Sequence, residues 1–156
     1  MQKVVITGHD LTVDQIIAVC REGAEVVLSD ESREKILASR QVVNELVEER
    51  KVVYGITTGF GKFSDVVISQ DECKLLQKNL IITHAVGAGD PFKEDIARGI
   101  LLLRVNSLSN GFSGICLETV ETMIAMLNKG VTPFIPERAP WAHPEIWLPC
   151  PIWSFP

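Results

Sequence analysis

The sequence predicts a mainly α-helical domain with minor short strands. Three observations carry that reading. Apolar residues recur at three- and four-residue spacing along most of the chain. Two Ser/Thr–x–x–Gln/Glu pairs, Thr12 with Gln15 and Ser69 with Glu72, stand at the capping-box spacing. Glycines stand where the apolar stripes stop, at Gly23, Gly111 and Gly130. The chain's 156 residues are enough for one domain with its own core.

The elements follow in order. Val4–Thr7 suits a short strand. Thr12 and Gln15 then open a helix whose stripe is Ile16, Ile17, Val19 and Cys20, stopped by Gly23. Glu25–Leu28 reads as a second short strand. Ser29 and Asp30 precede a longer helix to about Arg50, with Ile36, Leu37, Val43, Leu46 and Val47 on its face and Asp30, Glu31 and Glu34 at its positive end. Residues 51–62 break the helical rhythm. Ser69 and Glu72 open a helix with Leu75, Leu76, Asn79, Leu80 and Ile82 on one face. Asp90-Pro91 begins the next segment. Lys93–Asn110 follows as a helix carrying Ile96, Ile100, Leu101, Leu103 and Leu108 over much of its surface. Such a helix suits burial among many others and leaves an open apolar face if they are missing. Glu118–Lys129 is the last helix, with Val120, Met123, Ile124 and Leu127.

Composition excludes several classes. Fifteen basic against twenty acidic residues give a net charge of -5, which argues against a nucleic-acid or anionic-membrane surface. A hydrophobic fraction of 46% and a charged fraction of 22% exclude overall disorder. No apolar run reaches membrane-spanning length, and the opening Met-Gln-Lys-Val-Val-Ile-Thr-Gly lacks a secretion signal. Cys20, Cys73, Cys116 and Cys150 form no CxxC pair, so they read as reduced thiols of a cytoplasmic protein, with no metal site expected.

Residues 1–137 form one coherent region, whereas 138–156 differ in kind. All three tryptophans, Trp141, Trp147 and Trp153, and four of the eight prolines fall in the last sixteen residues.

The stretch most informative for chemistry is Val53-Tyr54-Gly55-Ile56-Thr57-Thr58-Gly59-Phe60-Gly61-Lys62, which presents the only tyrosine of the chain. Gly55, Gly59 and Gly61 allow sharp bends and close approach to a ligand. It is not a Walker A loop, because the glycine spacing is wrong and Phe63 follows Lys62. No convincing βαβ unit surrounds it, so it is not a dinucleotide loop either. A structural turn and a ligand loop both remain open by pattern. His84, before Ala-Val-Gly-Ala-Gly, suits a helix cap or a ligand contact. His9 and His143 have no supporting neighbours. Arg104 and Asn106 read as a structural polar network, and Met123 and Met126 as core residues.

At these residues the chain resembles the aromatic amino-acid ammonia-lyases. Tyr54-Gly55-Ile56-Thr57-Thr58-Gly59-Phe60-Gly61 resembles the tyrosine loop of that family. Leu76–Leu80 with Thr83–Gly87, Leu102–Leu108 with Gly111–Gly114, and Val131–Glu137 resemble the blocks that follow it, in the same order. The continuation Phe60–Val66 and Thr83-His84-Ala85 are most similar to the histidine ammonia-lyases. The resemblance implies the helical fold shared with fumarase and aspartase, a homotetramer, and elimination of ammonia from L-histidine to give trans-urocanate. It implies Tyr54 as the base, His84 as the contact to the substrate side chain, and Gly55, Gly59 and Gly61 as the residues that let the loop close. The implied cofactor is 4-methylidene-imidazol-5-one, an electrophile made from an internal Ala-Ser-Gly. Tyrosine- or phenylalanine-directed lyases and aminomutases, and a non-catalytic helical interaction module, are the alternatives.

The chain departs from the family at the electrophile. It contains no Ala-Ser-Gly, so the cofactor cannot form within it. After Arg138 it runs Ala139-Pro140-Trp141-Ala142-His143-Pro144-Glu145-Ile146-Trp147-Leu148-Pro149-Cys150-Pro151-Ile152. The genetic code permits a test. Read one nucleotide upstream, Trp141-Ala142 must encode Gly. The following steps then accommodate Ala-Ser-Gly-Asp-Leu-Ala-Pro-Leu-Ser-His, the order of the family's cofactor loop. The expectation is that 139–156 is an out-of-frame tail and the chain an inactive, truncated lyase.

Overall fold

The computed structural model describes residues 2–58, 72, 75, 76, 78, 79, 82, 83 and 87–138. It opens with a β–α–β unit: β1 (Lys3–Ile6), α1 (Val13–Arg21) and β2 (Glu25–Leu28). The strands are parallel, with Val4 opposite Val26 and Ile6 opposite Leu28. A parallel pair needs a crossover, and α1 supplies it. Val4, Ile6, Val26 and Leu28 point inward, while the intervening residues face outward or are half-buried.

The capping box at the start of α1 is formed. Thr12 N donates to Gln15 Oε1 at 2.9 Å and Gln15 N donates to Thr12 Oγ1 at 3.3 Å. Its buried residues are Ala18 and Val19, whereas Ile17, expected on the inner stripe, is 37% exposed. The helix Glu94–Leu108 packs against α1, with an Arg98 guanidinium nitrogen donating to Val19 O, and at 100° per residue Ile17 falls at the outer edge of the covered face. Gly23 ends the helix with φ +72.

Helix α2 (Asp30–Glu48) is capped by Ser29, whose Oγ accepts from Ser32 N at 3.1 Å. Its buried residues are Ser32 and Ile36, and Leu37, expected on that face, is exposed. The helix lies against the turn after α3 (Glu94–Leu108). There Gly114 N donates to Ser39 Oγ at 3.0 Å and an Arg40 guanidinium nitrogen donates to Gly114 O at 3.2 Å. Gly114 has φ +65, and a Cβ on it would collide with Val43, so a larger residue does not fit.

Helices α3 and α4 (Leu117–Asn128) complete the core. The former buries Ala97, Leu101, Leu102, Val105 and Leu108; the latter buries Val120, Met123, Ile124 and Leu127, all four as expected. The other face of α3 is open: Ile96 and Leu103, two turns apart, are 46% and 51% exposed. Asn106 is structural, as expected. Its side chain accepts from Gly8 N at 3.2 Å, and Asn110 Nδ2 donates to Gly8 O at 2.9 Å, pinning the β1–α1 loop.

A second small sheet was not expected. Strand β3 (Ala88–Pro91) pairs antiparallel with β4 (Pro136–Arg138), Ala88 opposite Arg138 and Pro91 opposite Pro136. Asp90-Pro91 therefore ends a strand, and α3 begins only after Lys93. Phe92 N continues the contact, donating to Ile135 O at 2.9 Å. Backbone at Glu72, Leu75, Leu76, Lys78, Asn79, Ile82 and Thr83 is helical where a helix was expected; Ser69 and Leu80 lie outside the described residues. Among the described residues the strands are few and short, so the mainly helical class holds.

Candidate functional site

Tyr54 stands on a turn built by its own neighbours. Helix α2 closes at Glu48, and Arg50 takes a left-handed φ of 52 that turns the chain out of the helix. Lys51–Val53 has no regular secondary structure, and a turn follows over residues 54–57. Ile56 N and Thr57 N both donate to Val53 O, at 3.1 and 3.0 Å. Gly55 takes φ +73, a conformation that disfavours any side chain, so this glycine is needed where it stands.

Thr57 and Thr58 hold the turn from inside. They are 6% and 2% exposed, against 61% for Tyr54. Thr57 Oγ1 accepts from Val53 N at 2.9 Å and donates to Lys51 O. Thr58 Oγ1 accepts from Gly55 N at a longer 3.4 Å. The backbone N–H groups on either side of Tyr54 thus end on two buried hydroxyls, while the phenol projects into the open.

Of the other expected site residues, Gly59, Gly61 and His84 lie outside the described residues, as does His143. His9 is exposed, and its Nε2 sits 3.5 Å from Asp10 Oδ2. Cys20 and Cys116 are free thiols, and no group of His, Cys, Asp and Glu among the described residues is arranged to hold a metal. No helix among them is long and apolar enough to cross a membrane.

A cavity of about 790 Å3 opens between the ends of α1, α3 and α4, lined by Cys20, Arg21, Asp95, Arg98 and Asn128 among others. Sequence reasoning did not foresee it. Its charged groups are engaged: Arg21 Nε meets Asp95 Oδ2 at 3.1 Å, and a guanidinium nitrogen of Arg98 donates to Val19 O at 3.0 Å. Burial pushes the Cys20 thiol up, against a smaller opposing pull from Arg98. These bonds tie the end of α1 to the start of α3.

The residues present do not fit the electrophile that the resemblance implies. Strand β4 runs Pro136-Glu137-Arg138, and no Ala-Ser-Gly occurs anywhere in the chain. What the described site offers is a presented phenol, not a complete reaction centre.

Comparison with known proteins bears on what this phenol serves. The profile of the aromatic amino acid lyase family matches residues 11–140. The histidine ammonia-lyase of Caldanaerobacter subterraneus subsp. tengcongensis is 54% identical over 152 residues, covering 92% of this chain and 30% of that protein. In structure, the chain is similar to the histidine ammonia-lyase of Trypanosoma cruzi, with TM-score 0.83 and 41% identity over 88% of this chain and 27% of that one. It is also similar to the tyrosine aminomutase of Streptomyces globisporus, with TM-score 0.81 and 35% identity over 88% and 26% of the two chains. The chain thus spans about 30% of the length of the curated relatives it matches.

Proposed function

Because the chain belongs to the aromatic amino acid lyase family, we propose that residues 1–137 are the N-terminal portion of an enzyme that eliminates ammonia from L-histidine to give trans-urocanate. The observation that carries this reading is Tyr54, the only tyrosine, held exposed on a turn whose neighbouring hydroxyls are buried.

The chemistry assigned to this chain is proton transfer. Elimination breaks a Cβ–H bond and the Cα–N bond, and the pair released from Cβ–H becomes the Cα=Cβ bond. A weakly acidic carbon needs a positioned acceptor, and the side-chain oxygen of Tyr54 takes the proton. His84 contacts the substrate imidazole, and Gly55, Gly59 and Gly61 let the tyrosine loop close over it. Family membership implies the 4-methylidene-imidazol-5-one electrophile in the intact enzyme, which would supply electrophilic activation of the amine. This chain does not carry the residues that form it.

The same reading accounts for the tail. Residues 139–156 are the out-of-frame translation of the segment that carries Ala-Ser-Gly, and the chain as written is inactive. The intact enzyme is a cytoplasmic homotetramer acting on a small amino acid, without nucleic-acid or membrane partners. An aminomutase acting on tyrosine is the second reading, favoured by the likeness to the Streptomyces globisporus enzyme.

Sequencing the gene across the Arg138 codon tests the tail. A shifted frame reading Gly-Ala-Ser-Gly-Asp supports it, and any other reading rejects it. Expressing that frame and assaying histidine, tyrosine and phenylalanine tests the substrate. Urocanate as the dominant product supports the histidine reading, and a β-amino acid from tyrosine supports the second.

A further inference from the structure

We propose that Thr57 and Thr58 are positioning residues for Tyr54, setting the direction of its phenol through the two peptide groups that flank it. The proposal deepens the reading of Tyr54 as the base and rests on it.

A threonine in a turn ordinarily shows its hydroxyl to water. These two are buried at 6% and 2% exposure, and their hydroxyls turn inward onto the backbone. Thr57 Oγ1 joins Val53 N, at 2.9 Å, to Lys51 O and lies 3.5 Å from Val53 O, the carbonyl of the peptide entering Tyr54, which also accepts from Ile56 N and Thr57 N. Thr58 Oγ1 takes Gly55 N at 3.4 Å, which fixes the peptide leaving it. Gly55 turns the chain between them at φ +73, a conformation open to glycine. With both flanking peptides held, the Cα–Cβ bond of Tyr54 has one direction, and the ring pivots about its own side-chain torsions only. A base must lie within hydrogen-bond reach of the proton it takes, and a misplacement of about 1 Å costs about a hundredfold in rate. The hydroxyls act through Tyr54; neither is assigned a contact with the substrate.

Valine replaces a threonine hydroxyl with a methyl of nearly the same size, so Thr57→Val and Thr58→Val remove the bonds and keep the volume. Thr57→Ser keeps the hydroxyl. Tyr54 is the sole tyrosine, so the 156-residue chain labelled with 3-fluorotyrosine carries one fluorine signal. In the wild type we expect that signal displaced from its position in urea, with Thr57→Val and Thr58→Val moving it at least half of the way back and Thr57→Ser leaving it in place. In the full-length enzyme of the restored frame, each valine variant lowers kcat about tenfold or more with KM within about twofold, and Thr57→Ser recovers most of it. Wild-type fluorine position and wild-type kcat in both valine variants overturn the proposal, as does a loss that Thr57→Ser does not recover. If Thr57→Val yields no soluble protein, Thr58→Val on the other flank decides by the same two readouts. Normal turnover in Tyr54→Phe would instead remove the base reading, an outcome separate from the fluorine response to the valine variants.

Discussion

Asn128 pairs with both backbone groups of Val26: its Oδ1 accepts from Val26 N at 2.8 Å, and its Nδ2 donates to Val26 O at 2.9 Å. One side chain at the end of α4 thereby does for β2 what a third strand would do, covering an edge of the two-stranded sheet. Val26 is 1% exposed, so water does not readily replace the lost partner. Asn128→Ala is expected to destabilise the chain by about 2 kcal/mol or more, since two hydrogen bonds at about 1 kcal/mol each are lost and two buried groups are left unpaired. Urea unfolding followed by far-UV circular dichroism measures it. A midpoint equal to wild type would show that the sheet edge is satisfied otherwise.

Tyr54→Phe in the full-length enzyme keeps the ring and removes the proton acceptor. Turnover should fall by about 10²–10⁴-fold with little change in KM. Steady-state kinetics on L-histidine check it, and turnover within a few-fold of wild type takes Tyr54 out of the base role.

His84→Leu in the same enzyme tests side-chain recognition. Losing a hydrogen bond to the imidazole should lower kcat/KM for histidine by roughly tenfold or more and shift preference toward phenylalanine. Competition between the two substrates reads this directly. An unchanged preference leaves His84 as a helix cap.

The 156-residue chain as written should form no urocanate at any concentration, because Ala-Ser-Gly is absent. The check is product formation by chain purified from a host lacking its own histidine ammonia-lyase. Measurable urocanate would show that the tripeptide is dispensable.

The open face of α3 should make the same chain self-associate. Ile96 and Leu103 expose about half of their surface along one line of the helix. Replacing both by Glu should shift sedimentation toward the monomer without loss of helical signal. A wild-type chain that is monomeric at high concentration would dismiss this face as an association surface.

Much of the fold was legible because its signals are local. The Thr12–Gln15 box, the glycine stops and the four core residues of α4 each depend on a few neighbours in sequence. The pairing of β3 with β4 was not legible, because Ala88-Gly89-Asp90-Pro91 has no alternating apolar pattern and its partner lies far along the chain. Leu37 and Ile17 were misplaced for a related reason. Periodicity shows that a helix has an apolar side, but only the packing partner decides which residues at its margin are covered. At the site, the residue type and the glycines identified Tyr54, whereas the inward turn of the Thr57 and Thr58 hydroxyls has no signature in spacing.

The bonds from Asn106 to Gly8 and from Asn128 to Val26 join residues 98 and 102 positions apart. A chain growing on the ribosome therefore makes its first two strands long before it makes what holds them. Until Asn128 clears the exit tunnel, the β–α–β unit has an uncovered edge and an unfilled underside. On the out-of-frame reading proposed for 139–156, the slip after Arg138 would come ten residues beyond that point. Every residue that closes this core would precede it, so the error would strike a nascent protein whose first folding unit is already complete in composition.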